Sequence, residues 1–573
     1  MPRSLSPNRV ILAATVLALG IRLFTLTRPG FLTQSTEYDD GVYLGAAIRL
    51  TQGILPYRDF AYLQPPGIVL LMAPVGWLAR STSTVTAMMV ARVLTAAAST
   101  ACIPLVGLLV RYRGTLVTAL SCGILAIYPA DITSAHTLML EPWLNLLCLL
   151  GANAAFRSGR LAPRPHQLAL AGAAIGLAGT VKYWAAAPAA VLFIICLPHW
   201  RRTAAYLGGL CAGFLVPVAA FIHAAPGAFF RDTVIYQAVR VGARPPTALR
   251  LAHITGLIDI LNYYGQVTLT AAGNSLFANS TTSDSAPARM HVWPYLAALL
   301  FAAFIASGCF LHRTQLEWFA LATAVLALAA ILSYSAFFYH YPAFPGPWLA
   351  ILAGVTAGQF AAMLPRWYRA SGVAVIALAM AAVCALQLTE VYRIKLPPGG
   401  AAFTSAIPAG ACVFADQVSF LIAANRFTAA EPGCPVVIDS LATTLALTHG
   451  VSIQAGADDD LQAVAAWESI MSRAQYLWFS PNYELRIPRP PAFWTWVWKY
   501  YTRIVDVDGS VPGFGQLFVR RSLQDEAGRV LADHHRRGVG VPAGDAGHDR
   551  GVGDAQPVDA ADLEVGADHG ALV

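Results

Sequence analysis

Charged residues are scarce in this sequence. Asp, Glu, Lys and Arg together make up 12% of the 573 residues, about half of the share that a soluble globular protein carries. Hydrophobic residues account for 57%, and apolar runs of roughly 20 residues, the length that a bilayer demands, recur from residue 10 to residue 391. The composition therefore excludes a water-soluble protein and predicts a polytopic one that lies in a lipid bilayer.

Clustered metal ligands are also lacking. The nine cysteines form no Cys-x-x-Cys pair and no Cys/His cluster, so the sequence does not predict a zinc site. The first polar loop has no Asp-x-Asp triplet, so no cofactor is firmly implied, and a divalent cation stays compatible with the acidic residues. Seven cysteines lie in apolar runs, where cysteine packs as a small hydrophobe. Cys412 and Cys434 lie outside those runs, and an oxidising compartment would permit them to pair.

The apolar runs predict about eleven membrane spans, each ending near a polar connection. They are 9–27, 83–110, 115–132, 138–156, 167–184, 185–199, 203–223, 293–311, 317–338, 343–364 and 371–391.

The basic residues fix an expected orientation. Arginines concentrate in alternate connections, at residues 3–9, 111–113, 157–164, 201–202, 313 and 366–369. By the positive-inside rule these connections are cytoplasmic. Because basic residues cluster in them, the net charge of +7 does not indicate a nucleic-acid-binding surface. The loops 28–82 and 224–292 and everything after residue 392 then lie outside the cytoplasm, which predicts a multi-pass protein of the cell membrane.

The chain changes character after residue 391, so we predict three parts: a transmembrane domain (1–391), a small extracytoplasmic α/β domain (392–525) and a disordered tail (526–573). In the second part GACVFAD, CPVVID and QYLWFS are typical of short strands, and DLQAVAAWESIMSRA has helical spacing. WTWVW has strand spacing or forms a membrane-interface belt. The tail lacks aromatic residues, Ile, Lys, Ser and Thr, as expected for a biased linker that cannot fold or an out-of-frame translation of GC-rich DNA.

An acidic pair stands at the first membrane boundary, in the stretch EYDDGVYLGAAIRLTQGILPYRDFAYLQPPG. Asp39 and Asp40 precede an amphipathic segment, 41–52, and the turn that follows carries Arg58 and Asp59, which are placed to pair. Carboxylates held at a membrane face are costly and are usually functional. A general base for a hydroxyl group is one interpretation; a solvated loop or an N-cap for the following helix is the other.

Five further polar residues interrupt apolar surroundings and are candidate substrate-binding groups. Lys182 binds a lipid phosphate or snorkels to the interface. Arg92 lies too deep in its span for easy snorkelling, so it binds a phosphate or forms a structural ion pair. Glu141 contacts substrate or caps a helix, and His340, among aromatic residues, contacts a substrate or is structural. His136, at the same turn as Glu141, is grouped with them.

These features resemble the GT-C superfamily of integral-membrane glycosyltransferases, in particular the branches of the protein O-mannosyltransferases and the lipid A aminoarabinose transferase. The segment YDDGVYLGAAIRLTQGILPYRDF with its QPPG resembles the acidic motif and surface helix of that group; TLMLEPWLNLL, GLAGTVKYW and FFYHYPAFPGPWLAILAG are weaker matches. The resemblance covers 1–391 well and 392–525 only in general plan. It implies Asp39 as catalytic base, whereas Asp40 stands where Glu is common.

The resemblance implies an inverting glycosyltransferase that moves a sugar, mannose as a first expectation, from a polyprenyl-phosphate donor to a hydroxyl group on the extracytoplasmic side. The acceptor is a glycan, a lipid or a protein, and no nucleic acid is expected. The alternative is a carrier or flippase of lipid-linked sugars, which would place polar residues and broken helices in repeat-related positions near the midplane. The sequence has no such repeat, and an acidic pair on one loop favours the enzyme.

Overall fold

The structure is a computed structural model of the chain, and it describes residues 6–242, 245–257, 289–393, 400–430, 432–480, 486–506 and 515–523. The predicted tail 526–573 and residues 258–288 of the predicted loop 224–292 lie outside this description.

Helices build the part of the chain before residue 394. They are α1 (Pro7–Leu26), α2 (Tyr38–Leu50), α3 (Gly67–Ser81), α4 (Thr84–Val110), α5 (Thr115–Ala126), α6 (Pro129–Ala135), α7 (Leu140–Ala155), α8 (Pro165–Val181), α9 (Ala186–Cys196), α10 (Trp200–Ala224), α11 (Pro226–Phe230), α12 (Tyr236–Val239), α13 (Thr247–Thr255), α14 (Arg289–Ser307), α15 (Gln315–Ser333), α16 (Gly346–Met363) and α17 (Arg366–Arg393).

The polytopic α-helical architecture is confirmed, but the count of about eleven spans is not. Within the described residues, seven helices are long and apolar enough to cross a bilayer (α1, α4, α10 and α14 to α17), or eight if α5 and α6, bent by 52°, form one broken span. The predicted spans 138–156, 167–184 and 185–199 correspond to helices of only 16, 17 and 11 residues. The last two separate where Lys182 takes an extended backbone conformation, with φ −156° and ψ 134°.

Helix α3 was not predicted, because its 15 residues contain Pro74 and are fewer than the roughly 20 that define a span. It lies inside the predicted loop 28–82 and packs between α2 and α4. A Cβ added at Gly76 would lie 2.7 Å from the carbonyl oxygen of Ala47, so glycine is what allows α3 to approach α2 this closely. The acidic helix α2 therefore packs closely against the apolar helix α3.

A seam of glycines joins α8 to α10. Cβ atoms added at Gly172 and Gly176 on α8 would lie 2.1 Å and 2.3 Å from carbonyl oxygens of α10, and Gly209 and Gly213 on α10 meet α8 carbonyls equally closely. Small residues spaced by four let membrane helices approach to backbone contact. This seam fixes the end of α8, where Lys182 follows directly.

The two ends of α4 mark two opposite faces of the protein. At its C-terminal end the turn Arg111–Arg113 meets the start of α15, where the Arg113 guanidinium pairs with Glu317 at 2.8 Å. A short hairpin of β1 (Phe156–Arg157) and β2 (Arg160–Leu161) packs beside it. At the N-terminal end, the Thr84 hydroxyl donates to the Ile422 carbonyl at 2.7 Å. At 1.5 Å per residue, the 27-residue helix separates these faces by about 40 Å.

The chain after residue 400 forms an α/β layer structure. Its helices are α18 (Gly400–Ala406), α19 (Val418–Ala423), α20 (Ser440–Leu447), α21 (Leu461–Met471) and α22 (Pro491–Tyr500), and its strands are β3 (Val413–Ala415), β4 (Tyr476–Phe479), β5 (Tyr501–Asp506) and β6 (Gln516–Arg520). The strand order is β3-β4-β6-β5, with β3 and β4 parallel and the other pairs antiparallel.

Five predictions for this region have clear outcomes: three for strands, one for a disulfide and one for the segment WTWVW. GACVFAD and QYLWFS supply β3 and β4, and Cys412 and Cys434 are disulfide-bonded with their Cα atoms 5.5 Å apart. CPVVID forms no strand. The interpretation of WTWVW as a strand is wrong, because the segment lies on the helix α22. Phe493 and Val497, at positions i and i+4 of this helix, are buried against the sheet.

The two faces of the sheet pack on different partners. Side chains of one face, such as Val413 and Trp478, belong to the same apolar cluster as α2 and the start of α4. Those of the other face, such as Phe414 and Leu477, pack against α21 and α22. The sheet therefore separates the side that touches the helical body from the side that carries α21 and α22.

Candidate functional site

The first turn of α2 carries the acidic pair. The helix begins at Tyr38, three residues earlier than predicted, and Glu37 is its N-cap residue, so neither Asp39 nor Asp40 is the cap. Both carboxylates lie in the first turn, where the helix dipole favours negative charge. Because neighbouring residues of an α-helix point about 100° apart, the two side chains face different surroundings.

Asp40 faces the protein interior. Its Oδ2 atom forms an ion pair with Arg92 of α4 and accepts a hydrogen bond from the Thr137 hydroxyl at 2.8 Å. Arg92 also donates to the Phe31 carbonyl and to the Thr36 hydroxyl at 3.0 Å, and both charged side chains are buried. Arg92 was expected either to bind a phosphate or to form a structural ion pair, and its position corresponds to the ion pair.

Asp39 faces a narrow cavity between the helical body and the C-terminal region. Its Oδ2 atom accepts a hydrogen bond from the Tyr43 hydroxyl, one helical turn further along α2, at 3.3 Å. Its side chain is only partly buried, in contrast to that of Asp40. The other acidic and basic side chains of the cavity are Lys182, Arg240, His340, Asp439 and Arg486.

Lys182 and His340 share one carboxylate. Glu141, fully buried at the start of α7, accepts from the Lys182 Nζ atom at 2.6 Å through one oxygen and lies 2.9 Å from the His340 Nδ1 atom through the other. The Lys182 ammonium also lies 3.7 Å from the ring centroid of Trp184 and 4.3 Å from that of Tyr341. The three predicted residues thus form one group, in which Glu141 holds two groups that reach the cavity.

His136 lies apart from this group. Its ring is buried beside Phe31, with ring centroids 5.7 Å apart, and does not line the cavity. Burial, together with the nearby Arg92, lowers the pKa of His136 to about 3, so the ring is neutral at pH 7. The structure therefore does not bring His136 together with the other predicted binding residues.

Three cavity residues were missed in the sequence. Arg240 follows α12 and lies in the predicted loop 224–292, where an arginine does not interrupt an apolar run and therefore does not stand out. Arg486 and Asp439 come from the C-terminal region: the Arg486 guanidinium lies 3.5 Å from the ring centroid of Tyr38, and the Tyr38 hydroxyl donates to Asp439 at 2.9 Å. Burial raises the pKa of the Asp439 carboxyl above its ordinary value. No local pattern distinguishes these residues, because the cavity forms only when distant parts of the chain meet.

The turn after α2 holds the predicted pair of Arg58 and Asp59, which is confirmed at 2.7 Å. Asp59 also accepts from the Leu55 amide at 2.6 Å, and Tyr57 adopts a left-handed conformation with φ 68°. This pair shapes the turn and lies outside the cavity. In the part of the chain that the structure describes, no group of three or more His, Cys, Asp or Glu side chains has the arrangement of a metal site.

These observations define a class: a multi-pass membrane protein with two carboxylates and four basic side chains around one cavity at the end of its helical body. No protein-family model and no curated protein sequence matches the chain. Solved structures do match its fold. One is ArnT from Cupriavidus metallidurans bound to undecaprenyl phosphate, with 13% identity and a TM-score of 0.54 over 89% of this chain and 97% of that one.

Another is the oligosaccharyltransferase from Archaeoglobus fulgidus in its apo form, with 14% identity and a TM-score of 0.50 over 83% of this chain and 70% of that one. Both are membrane glycosyltransferases of the GT-C superfamily. The chain therefore has the GT-C fold, which confirms the resemblance seen in the sequence. At this level of identity the likeness concerns the fold.

Proposed function

We propose that this protein is a glycosyltransferase that moves a sugar from a polyprenyl-phosphate donor to an acceptor hydroxyl group. The observation that carries the proposal is the Asp39 carboxylate, which faces the same cavity as Lys182, His340, Arg240 and Arg486. A base opposite several cations is what transfer from a lipid phosphate needs, because the hydroxyl must lose a proton while the phosphate leaves as an anion.

The reaction is a single displacement. Asp39 takes the proton of the acceptor hydroxyl, whose oxygen forms a bond to the anomeric carbon as the bond from that carbon to the phosphate oxygen breaks. The electron pair of the broken bond stays with the lipid phosphate, where Lys182 and the two arginines stabilise the charge. Attack opposite the leaving group inverts the configuration of the sugar carbon.

Two buried ion pairs position these groups. The pair of Asp40 with Arg92 anchors the first turn of α2 against α4, and this fixes the direction in which Asp39 points. Glu141 holds Lys182 and His340, which line the same cavity as Asp39. We therefore assign Asp40, Arg92 and Glu141 positioning roles, and we assign substrate contact to the cavity residues Asp39, Lys182, His340, Arg240 and Arg486. His136 stays a neutral packing residue in this scheme.

The test compares purified variants for transfer from radiolabelled polyprenyl-phosphate mannose, the first donor to try, to membrane acceptors in proteoliposomes. Asp39→Asn keeps the size of the side chain and removes the proton acceptor, so transfer should fall by about a hundredfold or more. The matched control is Asp459→Asn, an exposed carboxylate that lies outside the cavity. Binding of the donor should survive in Asp39→Asn and weaken in Lys182→Ala.

Near-normal transfer by Asp39→Asn would remove it as the base. If the purified protein instead moved the intact lipid-linked sugar across the vesicle membrane without transferring it, the carrier or flippase would be the better interpretation. The same assay with a panel of polyprenyl-phosphate sugars identifies the donor, and added EDTA reports on any need for a divalent cation. Analysis of the labelled product separates glycan, lipid and protein acceptors.

A further inference from the structure

A second cavity, of about 600 Å³, lies in the C-terminal region. Its walls come from α21 and α22, which pack on the face of the sheet opposite the one that touches α2. The sheet therefore separates it from the cavity that contains Asp39. Its volume is within the range of sites that hold small ligands.

One wall is an aromatic and basic face of α22. Trp496, Lys499 and Tyr500 line the cavity at positions i, i+3 and i+4, which share one side of a helix. The rings of Trp496 and Tyr500 lie 5.7 Å apart between centroids, and that of Tyr501 lies at the same distance from Trp496. Trp496 is half-buried and packs against the core beside Phe493 and Val497, whereas Lys499 and Tyr500 are exposed.

The opposite wall is made of residues of α21 and of Ser472, which directly follows that helix. Ala465, Glu468, Ser469 and Ser472 follow the spacing i, i+3, i+4 and i+7, which again is one helix face. Small side chains on this wall leave the space between the two helices unfilled, and the two serines are exposed. The result is a space bounded by aromatic rings on one side and hydroxyl groups on the other.

The charge in this cavity is unbalanced. Lys499, Arg520 and Arg521 line it together with a single carboxylate, that of Glu468. Arg521 is held in place by the hydrogen bond from its Nη2 atom to the Trp498 carbonyl at 2.7 Å. The half-buried Arg520 side chain interacts with the Tyr501 hydroxyl, but its Nη2 atom is buried and has no hydrogen-bond partner among the residues that the structure describes.

We propose that this cavity binds an anionic saccharide, a sugar unit that carries a carboxylate or phosphate group. The apolar face of the sugar ring packs on Trp496 and Tyr500, its hydroxyl groups meet the serines, and its acidic group accepts hydrogen bonds from Arg520 and Lys499. A lipid headgroup fits less well, because this face of the sheet points away from the helical body. The binding site does not depend on the proposed transferase activity.

The experiment measures binding to the full-length protein in nanodiscs by isothermal titration calorimetry and by tryptophan fluorescence. The probes are trigalacturonic acid, the neutral maltotriose and inorganic phosphate. We expect trigalacturonic acid to bind at least about tenfold more tightly than maltotriose or phosphate, since loss of one charge-assisted contact costs about that factor. Lys499→Glu and Arg520→Gln should each weaken its binding by about tenfold, whereas Arg473→Gln, an exposed arginine outside the cavity, should not.

Lys499 is exposed, so Lys499→Glu tests the proposal even where Arg520→Gln fails to fold. Trp496→Ala should also abolish the fluorescence change. Equal binding of all three probes, or unchanged binding of trigalacturonic acid to Lys499→Glu, would overturn the proposal. Binding to phosphatidylglycerol vesicles is measured for the same variants. The proposal would also be overturned if Lys499→Glu lost binding to these vesicles but kept saccharide binding, because the surface would then bind a membrane.

Discussion

At the scale of single residues, Asp39 and Asp40 are adjacent in the chain but differ in their surroundings. Asp40 is buried with Arg92, whereas Asp39 shares its cavity with several cations. A carboxylate that neutralises a buried guanidinium group contributes to folding, and one that faces a cavity is free to exchange a proton. A substitution of Asp40 should therefore mainly lower stability, and a substitution of Asp39 should mainly lower transfer activity.

We expect Asp40→Asn to lower stability far more than Asp39→Asn does. Removing one partner of a buried ion pair costs roughly 3 to 5 kcal/mol, because the other charge stays buried without compensation. The measurement is the thermal unfolding midpoint of the detergent-solubilised variants, together with the yield of monodisperse protein. The double variant Asp40→Asn/Arg92→Gln removes both charges and should recover part of the loss. A midpoint of Asp40→Asn equal to that of the parent would contradict a positioning role.

The residues of the site could be predicted from the sequence only where charge interrupts an apolar run. Lys182 and Glu141 are conspicuous for that reason, and the structure brings them into contact. Arg240, Asp439 and Arg486 lie outside the predicted spans, where a charged residue needs no explanation. Their position at the cavity depends on how the C-terminal region packs on α2, which no local pattern specifies.

At the scale of elements, α2 is the helix on which the two parts of the protein meet. Gly41, directly after the acidic pair, lies against α19: a Cβ added there would be 2.2 Å from the Ser419 amide nitrogen. Close by, the hydroxyl groups of Ser35 and Ser419 are 2.6 Å apart. Glycine at position 41 is therefore required for backbone contact between α2 and the C-terminal region.

Gly41→Ala should loosen this contact. Forcing a methyl group into this packed interface should lower the free energy of unfolding by about 1 to 3 kcal/mol. The displaced C-terminal region should then become more accessible to protease. Gly208→Ala is the control, because a Cβ at Gly208 of α10 meets nothing within 4 Å and alanine favours a helix. Limited proteolysis with mass mapping, alongside transfer activity, checks the prediction. Equal resistance of both variants would show that the contact is not limiting.

Long apolar helices were predictable and short ones were not. Helices α1, α4 and α10 coincide closely with predicted spans, because a run of more than 18 apolar residues has few alternatives. The 15 residues of α3 are as apolar as a span but too short, and a continuous apolar run around Lys182 contains a break. Hydropathy reports burial in lipid or protein, and it does not report where the backbone turns.

At the scale of the whole molecule, the two ends of the helical body differ in the elements that they contact. The connections that carry Arg113 and Arg160 gather at the end where α4 finishes, and the C-terminal region with its disulfide covers the other end, where α4 starts. Arginine-bearing connections favour the cytoplasm, and a disulfide favours an oxidising compartment. Both features support the same orientation, in which the Asp39 cavity faces away from the cytoplasm.

Cysteine labelling tests this orientation on intact cells. In a background whose free cysteines are replaced while Cys412 and Cys434 are kept, Asp459→Cys should react with a membrane-impermeant maleimide without permeabilisation. Arg160→Cys, which is exposed on β2 at the other end, should react only after the membrane is opened. Non-reducing mass mapping of the same protein should recover the peptide pair joined by the disulfide. Labelling of the two positions in the reverse order would place the cavity on the cytoplasmic side, where a donor would have to be supplied from the cytoplasm.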